Sequence, residues 1–210
     1  MSIDISSVKT KSSVKKQFWV LTIDQATSMK WSYFVPKKDE QVELVIGLIK
    51  QINGMNNCKV EFIRCDNTGE NKSLEKACIE KGLNIIFEYT SRNTPQQNGQ
   101  VERAFATLYR KMRAMMKSAN FTESEKERFW HECASMATKT DNVLMRKGQI
   151  KSPYNMFYRE DPGYLPHLKP FGKKGVMTMK RGSEIKAKLK DRGTLCTFLG
   201  YALNHNGDTC

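Results

Sequence analysis

The chain has 210 residues, a net charge of +13, a pI of about 9.5 and a hydrophobic fraction of 39%. That excludes a disordered tail and allows one good-sized packed domain, or one and part of another. The 35 Lys and Arg against 22 Asp and Glu suggest a polyanionic partner, although a merely soluble basic protein has the same composition. Six cysteines (Cys58, Cys65, Cys78, Cys133, Cys196, Cys210) form no CxxC pair. His131, His167 and His205 stand far apart, so there is no zinc-ligand pattern, and the thiols read as reduced and mostly core. No signal peptide opens the chain, and the apolar run near Leu44 to Ile49 is too short to span a bilayer. A cytosolic or nuclear protein is expected.

In chain order, SIDISSV (2–8) reads as a short strand, followed by a basic connector to Lys16. FWVLTID and KWSYFV, separated by the turn QATSM, read as a β-hairpin of aromatic and β-branched residues. Val42, Val45, Ile46 and Ile49 recur at helical spacing between Asp39 and Asn53. KVEFIRCD (59–66) is a strand ending in the turn NTGE. A helix over about 71–82 stops at Gly82, and NIIFEY (84–89) is a further strand. Three early strands with short links and two later ones with helical crossovers predict an α/β protein. Its expected form is a mixed five-stranded sheet covered by helices.

Past the loop TPQQNG a long helix is expected from about Gly99 to Ser118. At about 100° per residue, Val101, Phe105, Leu108, Met112, Met115 and Met116 share one face. Arg103, Arg110 and Lys117 stack on the opposite face with Arg113 beside them, and Glu102 lies on the flank. Such a stripe is usually a solvated face, but one so purely basic suits a phosphate-tracking surface. Thr122 to Glu125 is a capping-box pattern opening a helix with Phe129, Cys133, Ala137 and Leu144 inward. Pro162, Gly163, Pro166 and Pro170 mark a linker over 161–170 between a core (1–160) and a last segment (171–210). Residues 173–192 of that segment hold eight Lys or Arg, with Lys173 and Lys174 at their head, and two acids. The strand TLCTFLGYAL (194–203) and a turn at Asn206-Gly207 follow, and the expected second strand of that hairpin would lie beyond Cys210.

Asp66 ends an apolar strand, and Glu102 opens a helix, with 35 residues between them. Each alone is ordinary: an Asp before Asn-Thr-Gly forms turns, and a Glu in a first helical turn gains from the dipole. Together, under a Pro/Gln/Asn/Gly loop, they suit an oxygen-only magnesium site for phosphoryl transfer. A third acidic ligand is then needed on the strand beside the one carrying Asp66.

These residues resemble a known family. Asp66-Asn67-Thr68-Gly69-Glu70 and Thr94-Pro95-Gln96-Gln97-Asn98-Gly99 leading to Glu102-Arg103 look like the integrase core of copia-type long-terminal-repeat retrotransposons. The likeness continues through Phe18–Asp24, Phe129-Trp130, Ser152-Pro153-Tyr154 and His167-Leu168-Lys169-Pro170-Phe171-Gly172. The last forty residues are similar to the start of the small SH3-like barrel that follows this core in such polyproteins. The resemblance implies an RNase H-like fold and a DDE site that trims and joins DNA ends with two Mg2+ or Mn2+ ions. It further implies DNA and further copies of the chain as partners, and a nuclear location with a cytoplasmic particle stage. Gln97 and Asn98 would touch the DNA end; Arg103, Arg110, Arg113, Lys117, Lys173 and Lys174 would meet DNA. The chain departs from the family in Ile23-Asp24-Gln25, where the family reads Ile-Asp-Asp, and in Thr68, where it has glycine.

For the third carboxylate, Asp4 and Asp24 compete. In the sheet that the resemblance implies, the first strand lies parallel to the one carrying Asp66, so Asp4 points to the same edge. Asp24 lies at the far end of the antiparallel second strand, where a hairpin Asp is structurally ordinary. Asp4, Asp66 and Glu102 are therefore the expected metal ligands and catalytic residues. The rival reading is a non-catalytic basic DNA-binding remnant, whose carboxylates serve only as caps and turns.

Overall fold

The computed structural model describes residues 1–9, 12, 14–56, 58–90, 99–178 and 193–201. Strands β1 (Ser2–Ser7), β2 (Phe18–Ile23) and β3 (Lys30–Val35) form an antiparallel meander. After a 3-10 turn at Lys38–Glu40, helix α1 (Gln41–Asn53) crosses over to β4 (Phe62–Asp66), and α2 (Gly69–Glu80) crosses over to β5 (Ile86–Thr90). Both later strands join in parallel, giving one sheet in the order β3-β2-β1-β4-β5. The mixed five-stranded sheet expected from the link lengths is the one formed.

Strand alternation divides the core in two. On one face Ile3, Val20, Ile63 and Cys65 pack under α1 and α2 through Val45, Ile49, Leu74 and Cys78. On the other, Trp19, Leu21 and Ile23 pack under α3 (Gly99–Ser118) and α5 (Trp130–Val143) through Val101, Phe105, Leu108, Cys133 and Ala137. The edge strand β3 is capped from α5: Asn142 accepts from the Lys30 backbone N–H (3.0 Å) and donates to its carbonyl (2.8 Å). Beneath it Lys30, only 3% exposed, pairs with Asp141 at 2.7 Å, and Lys111 of α3 reaches the other Asp141 oxygen at 2.5 Å. Burial alone would push the Asp141 carboxyl up, but the two ammonium groups hold it below the usual range.

Several boundaries differ from the sequence reading. Strand β4 starts at Phe62 rather than Lys59, because its parallel partner starts at Ile86 opposite Phe62; Val60 N–H is taken instead by Asn53 (2.8 Å). Helix α2 opens at Gly69, two residues early, with extended Thr68 before it. The helix opened by the Thr122–Glu125 capping box is two helices, α4 (Glu123–Arg128) and α5, because Phe129 leaves helical geometry and sets its ring 5.9 Å from Phe121. Leu144, expected inward, is 48% exposed: it is the extended residue that ends α5 and no longer shares the helix's buried face. Helix α6 (Pro153–Tyr158), capped by Ser152, and strand β6 (Lys174–Thr178) were not foreseen. Strand β7 covers Gly193–Thr197, shorter than the expected 194–203, and pairs antiparallel with β6.

The β6–β7 hairpin is tied to the rest. Phe171 and Tyr201 are buried in the same cluster as α3 and α5, and Phe171 meets Phe121 edge-on at 5.6 Å. Gly172 has φ +79°, and a Cβ there would fall 2.2 Å from that of Ala119, so this approach to the end of α3 requires glycine. Cys65, Cys78 and Cys133 are buried and Cys196 is exposed; all four, with half-buried Cys58, are free thiols.

Candidate active site

Strand β1 alternates Ile3 and Ile5 toward α1 with Ser2, Asp4 and Ser6 toward α3. In β4, Ile63 and Cys65 occupy the α1 face, which leaves Arg64 and Asp66 on the α3 face. Ser2 pairs with Arg64, and carrying that parallel register two residues along brings Asp4 level with Asp66. Helix α3 supplies Glu102 from its first turn, exposed beside buried Val101. A latch joins strand and helix: Ser6 Oγ and Tyr109 Oη are 2.8 Å apart. Ser6 follows Asp4 by two residues on one strand face, and Tyr109 follows Glu102 by seven on one helix face, so this bond spaces the two carboxylates.

The electrostatics reflect that placement. Burial pushes the Asp4 carboxyl up to about 6, against one backbone hydrogen bond from Ile5 N–H (2.8 Å); the negative charges of Asp66 and Glu102 add to the rise and Lys38 opposes it. Three carboxylates from β1, β4 and α3 therefore share one field. Asp24 does something else. Its Oδ2 accepts from Thr27 N–H (2.8 Å) and Thr27 Oγ–H (2.6 Å), and its carbonyl accepts from Ser28 N–H: it builds the β2–β3 turn.

Among the described residues, no group of three or more His, Cys, Asp or Glu side chains is placed where it could hold a metal ion. What Asp4, Asp66 and Glu102 offer is an all-oxygen donor set with surplus negative charge, the chemistry that suits a hard divalent cation. Clefts of about 550 Å³ and 660 Å³ flank the sheet, and neither is lined by these carboxylates. The second lies between the β2–β3 turn, α3 and α5 and carries Lys30, Arg103, Lys111 and Arg146 against Asp141.

Arg103, Arg110, Arg113 and Lys117 are all exposed along α3, and Lys173 and Lys174 are exposed at the head of β6. The Arg103 guanidinium lies over Gly99, where a Cβ would come within 2.9 Å of Nη1. Gln97 and Asn98 lie outside the described residues. Sequence reasoning missed Ser6, Tyr109 and the Lys30–Asp141–Lys111 group, whose partners stand too far apart in the chain for any local pattern. It also missed Gln41 and Asn71, although a signal existed: each is a polar residue in phase with its helix's buried face, Gln41 with Val45 and Ile52, Asn71 with Leu74 and Cys78.

A mixed sheet in this order, with helices on both faces and acidic residues on its two central strands, defines the RNase H-like class to which retroviral integrase cores belong. Among solved structures, a chain of the simian T-cell lymphotropic virus intasome in complex with a PP2A regulatory subunit aligns with a TM-score of 0.56. That alignment covers 96% of this chain and 68% of the other at 18% identity. The catalytic core domain of BIV integrase aligns at 0.53, covering 75% and 92% at 20% identity. No family model matches the chain. Its sequence is 28% identical over 191 residues to the retrovirus-related Pol polyprotein from transposon TNT 1-94 of Nicotiana tabacum. It is 24% identical over 196 residues to that from transposon RE2 of Arabidopsis thaliana. The alignments take in 88% and 92% of this chain but only 14% and 13% of those polyproteins. The chain thus has retrotransposon Pol relatives and the fold of a retroviral integrase core, as the sequence resemblance implies.

Proposed function

We propose that the chain is the catalytic core of a retrotransposon integrase, which trims DNA 3′ ends and joins them to target DNA. The observation that carries this reading is the shared field of Asp4, Asp66 and Glu102, delivered from two adjacent parallel strands and one helix. Asp4, Asp66 and Glu102 would hold Mg2+ or Mn2+. Such ions, if bound there, would supply activation of a water or a DNA 3′-hydroxyl and neutralisation of charge on the phosphodiester. The chain's own part is placement. Asp4 and Asp66 would offer their oxygens from the rigid sheet, and the Ser6–Tyr109 contact, which ties α3 to β1, supports the reading that Glu102 joins them. The exposed cations of α3, together with Lys173 and Lys174, would meet phosphates and position the duplex without reading its sequence. Gln97 and Asn98 would contact the DNA end, and further copies of the chain would complete the assembly.

The test is incubation of the chain with labelled duplex ends and a target plasmid, with Mg2+ or Mn2+ and with chelator. The proposal expects joined products only with metal; equal products in chelator, or none in either, would contradict it. The helix stripe is tested separately. Replacing Arg110, Arg113 and Lys117 with Gln should lower the slope of log affinity against log salt by about 0.9 per lost contact, roughly 2–3 in all. Binding isotherms at several salt concentrations give that slope, and an unchanged one would take the stripe off the DNA.

A further inference from the structure

Asp66 is held by residues that the proposed chemistry has not used. Its Oδ1 accepts from Asn71 Nδ2 at 2.5 Å and from Thr68 Oγ1 at 3.1 Å. The second Asn71 amide contact goes to the Asp66 carbonyl, at 3.1 Å. Behind Asn71 stands Gln41 of α1, whose Nε2 donates to Asn71 Oδ1 at 3.4 Å. Both amides are almost wholly enclosed, Asn71 at 1% and Gln41 at 0% exposure, within an otherwise apolar cluster. Gln41 Oε1 is buried with no hydrogen-bond partner among the described residues.

Packing alone does not call for this arrangement. Leucines at both positions would fill the space without burying an amide, and an unpaired buried carbonyl is a net cost. What the amides accomplish is orientation. An asparagine side chain can face a carboxylate with its NH2 or, turned over, with its oxygen. Gln41 donates to Asn71 Oδ1 and so fixes the NH2 toward Asp66. Both side-chain donors, Asn71 and Thr68, then fall on the same carboxylate oxygen. The rotamer is locked with Oδ1 occupied and Oδ2 facing away from the clamp.

We infer that Asn71 and Gln41 are positioning residues for a metal ion: a buried relay from α1 through α2 that holds the Asp66 carboxylate with one oxygen clamped and the other presented. The inference rests on the reading of Asp66 as a metal ligand. Hydrogen-bonded partners of a ligating group commonly alter metal affinity by 10- to 100-fold when removed, because the ligand must then be ordered by the ion itself.

The experiment is calorimetric titration of the full chain with MnCl2, alongside melting curves without metal. Asn71→Leu should weaken Mn2+ binding at least about tenfold. Because it also orphans the buried Gln41 amide, the metal-free melting temperature is expected to hold or rise only in the double change Gln41→Leu with Asn71→Leu, which should lose the ion to the same degree. Gln41→Leu touches no carboxylate and guards against a folding failure at position 71; it should weaken binding severalfold by freeing the Asn71 amide to turn. Wild-type affinity in a folded Asn71→Leu or Gln41→Leu variant overturns the relay. Asp66→Asn separates the two ideas. If it loses the ion while both leucine variants keep it, Asp66 remains a ligand and only the relay fails. If wild type binds no Mn2+, or Asp66→Asn binds it equally well, the metal reading fails and the relay with it.

Discussion

Asp4→Asn should reduce metal-dependent DNA joining by about a thousandfold or more, the rate equivalent of roughly 4 kcal/mol, and should also make the protein more stable at neutral pH. The two effects have one cause. Asp4 carries its charge half-buried beside Asp66 and Glu102, and its carboxyl is pushed from 3.8 up to about 6, first by burial and then by those neighbours. The folded chain therefore holds this proton more tightly than the unfolded chain does. The stability linked to it is fully present below about pH 3.8 and is lost as the pH rises through about 6. At about 1.4 kcal/mol per pKa unit, ionised Asp4 costs on the order of 2–3 kcal/mol at pH 7, which asparagine removes. Urea melts of wild type and variant from pH 4 to 8 should diverge as the pH rises, and Mg2+ should raise the melting temperature of wild type alone. Glu102→Gln should lose joining to the same degree with a smaller gain in stability, because Glu102 is exposed. A fully active variant of either kind would reduce that residue to a structural role.

Asp141→Asn should destabilise the fold by about 3–5 kcal/mol without touching the carboxylate site. Asp141 is the carboxylate partner of both Lys30, 3% exposed, and Lys111, bridging β3, α5 and α3. Removing its charge leaves an ammonium buried without an anion, which costs more than the pair itself contributes. Acid should mimic the substitution: Asp141 sits below its ordinary value, so its contribution is present above about pH 3.8 and fades as pH falls through the folded value. The double change Lys30→Met with Asp141→Leu should recover most of the loss, since an apolar pair of similar volume avoids desolvation altogether. Chemical denaturation of wild type and the two variants decides it. A single variant as stable as wild type would mean that the buried lysine is satisfied by the Ser28 carbonyl, 3.0 Å away, alone.

How far the sequence could be read followed the range of each interaction. Strands β2 and β3 were legible because their side chains alternate around a short turn, and α3 because its apolar stripe is in phase over twenty residues. Asp24 illustrates the limit of motif reading. It stands in the more conspicuous motif, yet its carboxylate is spent on Thr27, whereas Asp4 in a plain strand gains Asp66 and Glu102 through topology. The break at Phe129 was invisible because it depends on Phe121, which the helical pattern does not weigh. Strand β6 was hidden in a run read only for its charge. Its Lys174-Gly175-Val176-Met177-Thr178 becomes a strand through pairing with β7, across the intervening residues 179–192. Gln41 and Asn71 were readable as polar residues on apolar faces, but their target, Asp66, was not: it lies across the turn from a different element.

The central claim is that Asp4 and Asp66 jointly hold an ion beside Glu102, with Asp24 outside the group. Crystals of the chain soaked in MnCl2 and measured at the manganese absorption edge test it directly, because anomalous density marks the ion independently of any product assay. The account predicts a peak shared by the carboxylates of Asp4 and Asp66, within reach of Glu102. A peak on Asp24, or none near Asp66 at saturating manganese, would contradict it.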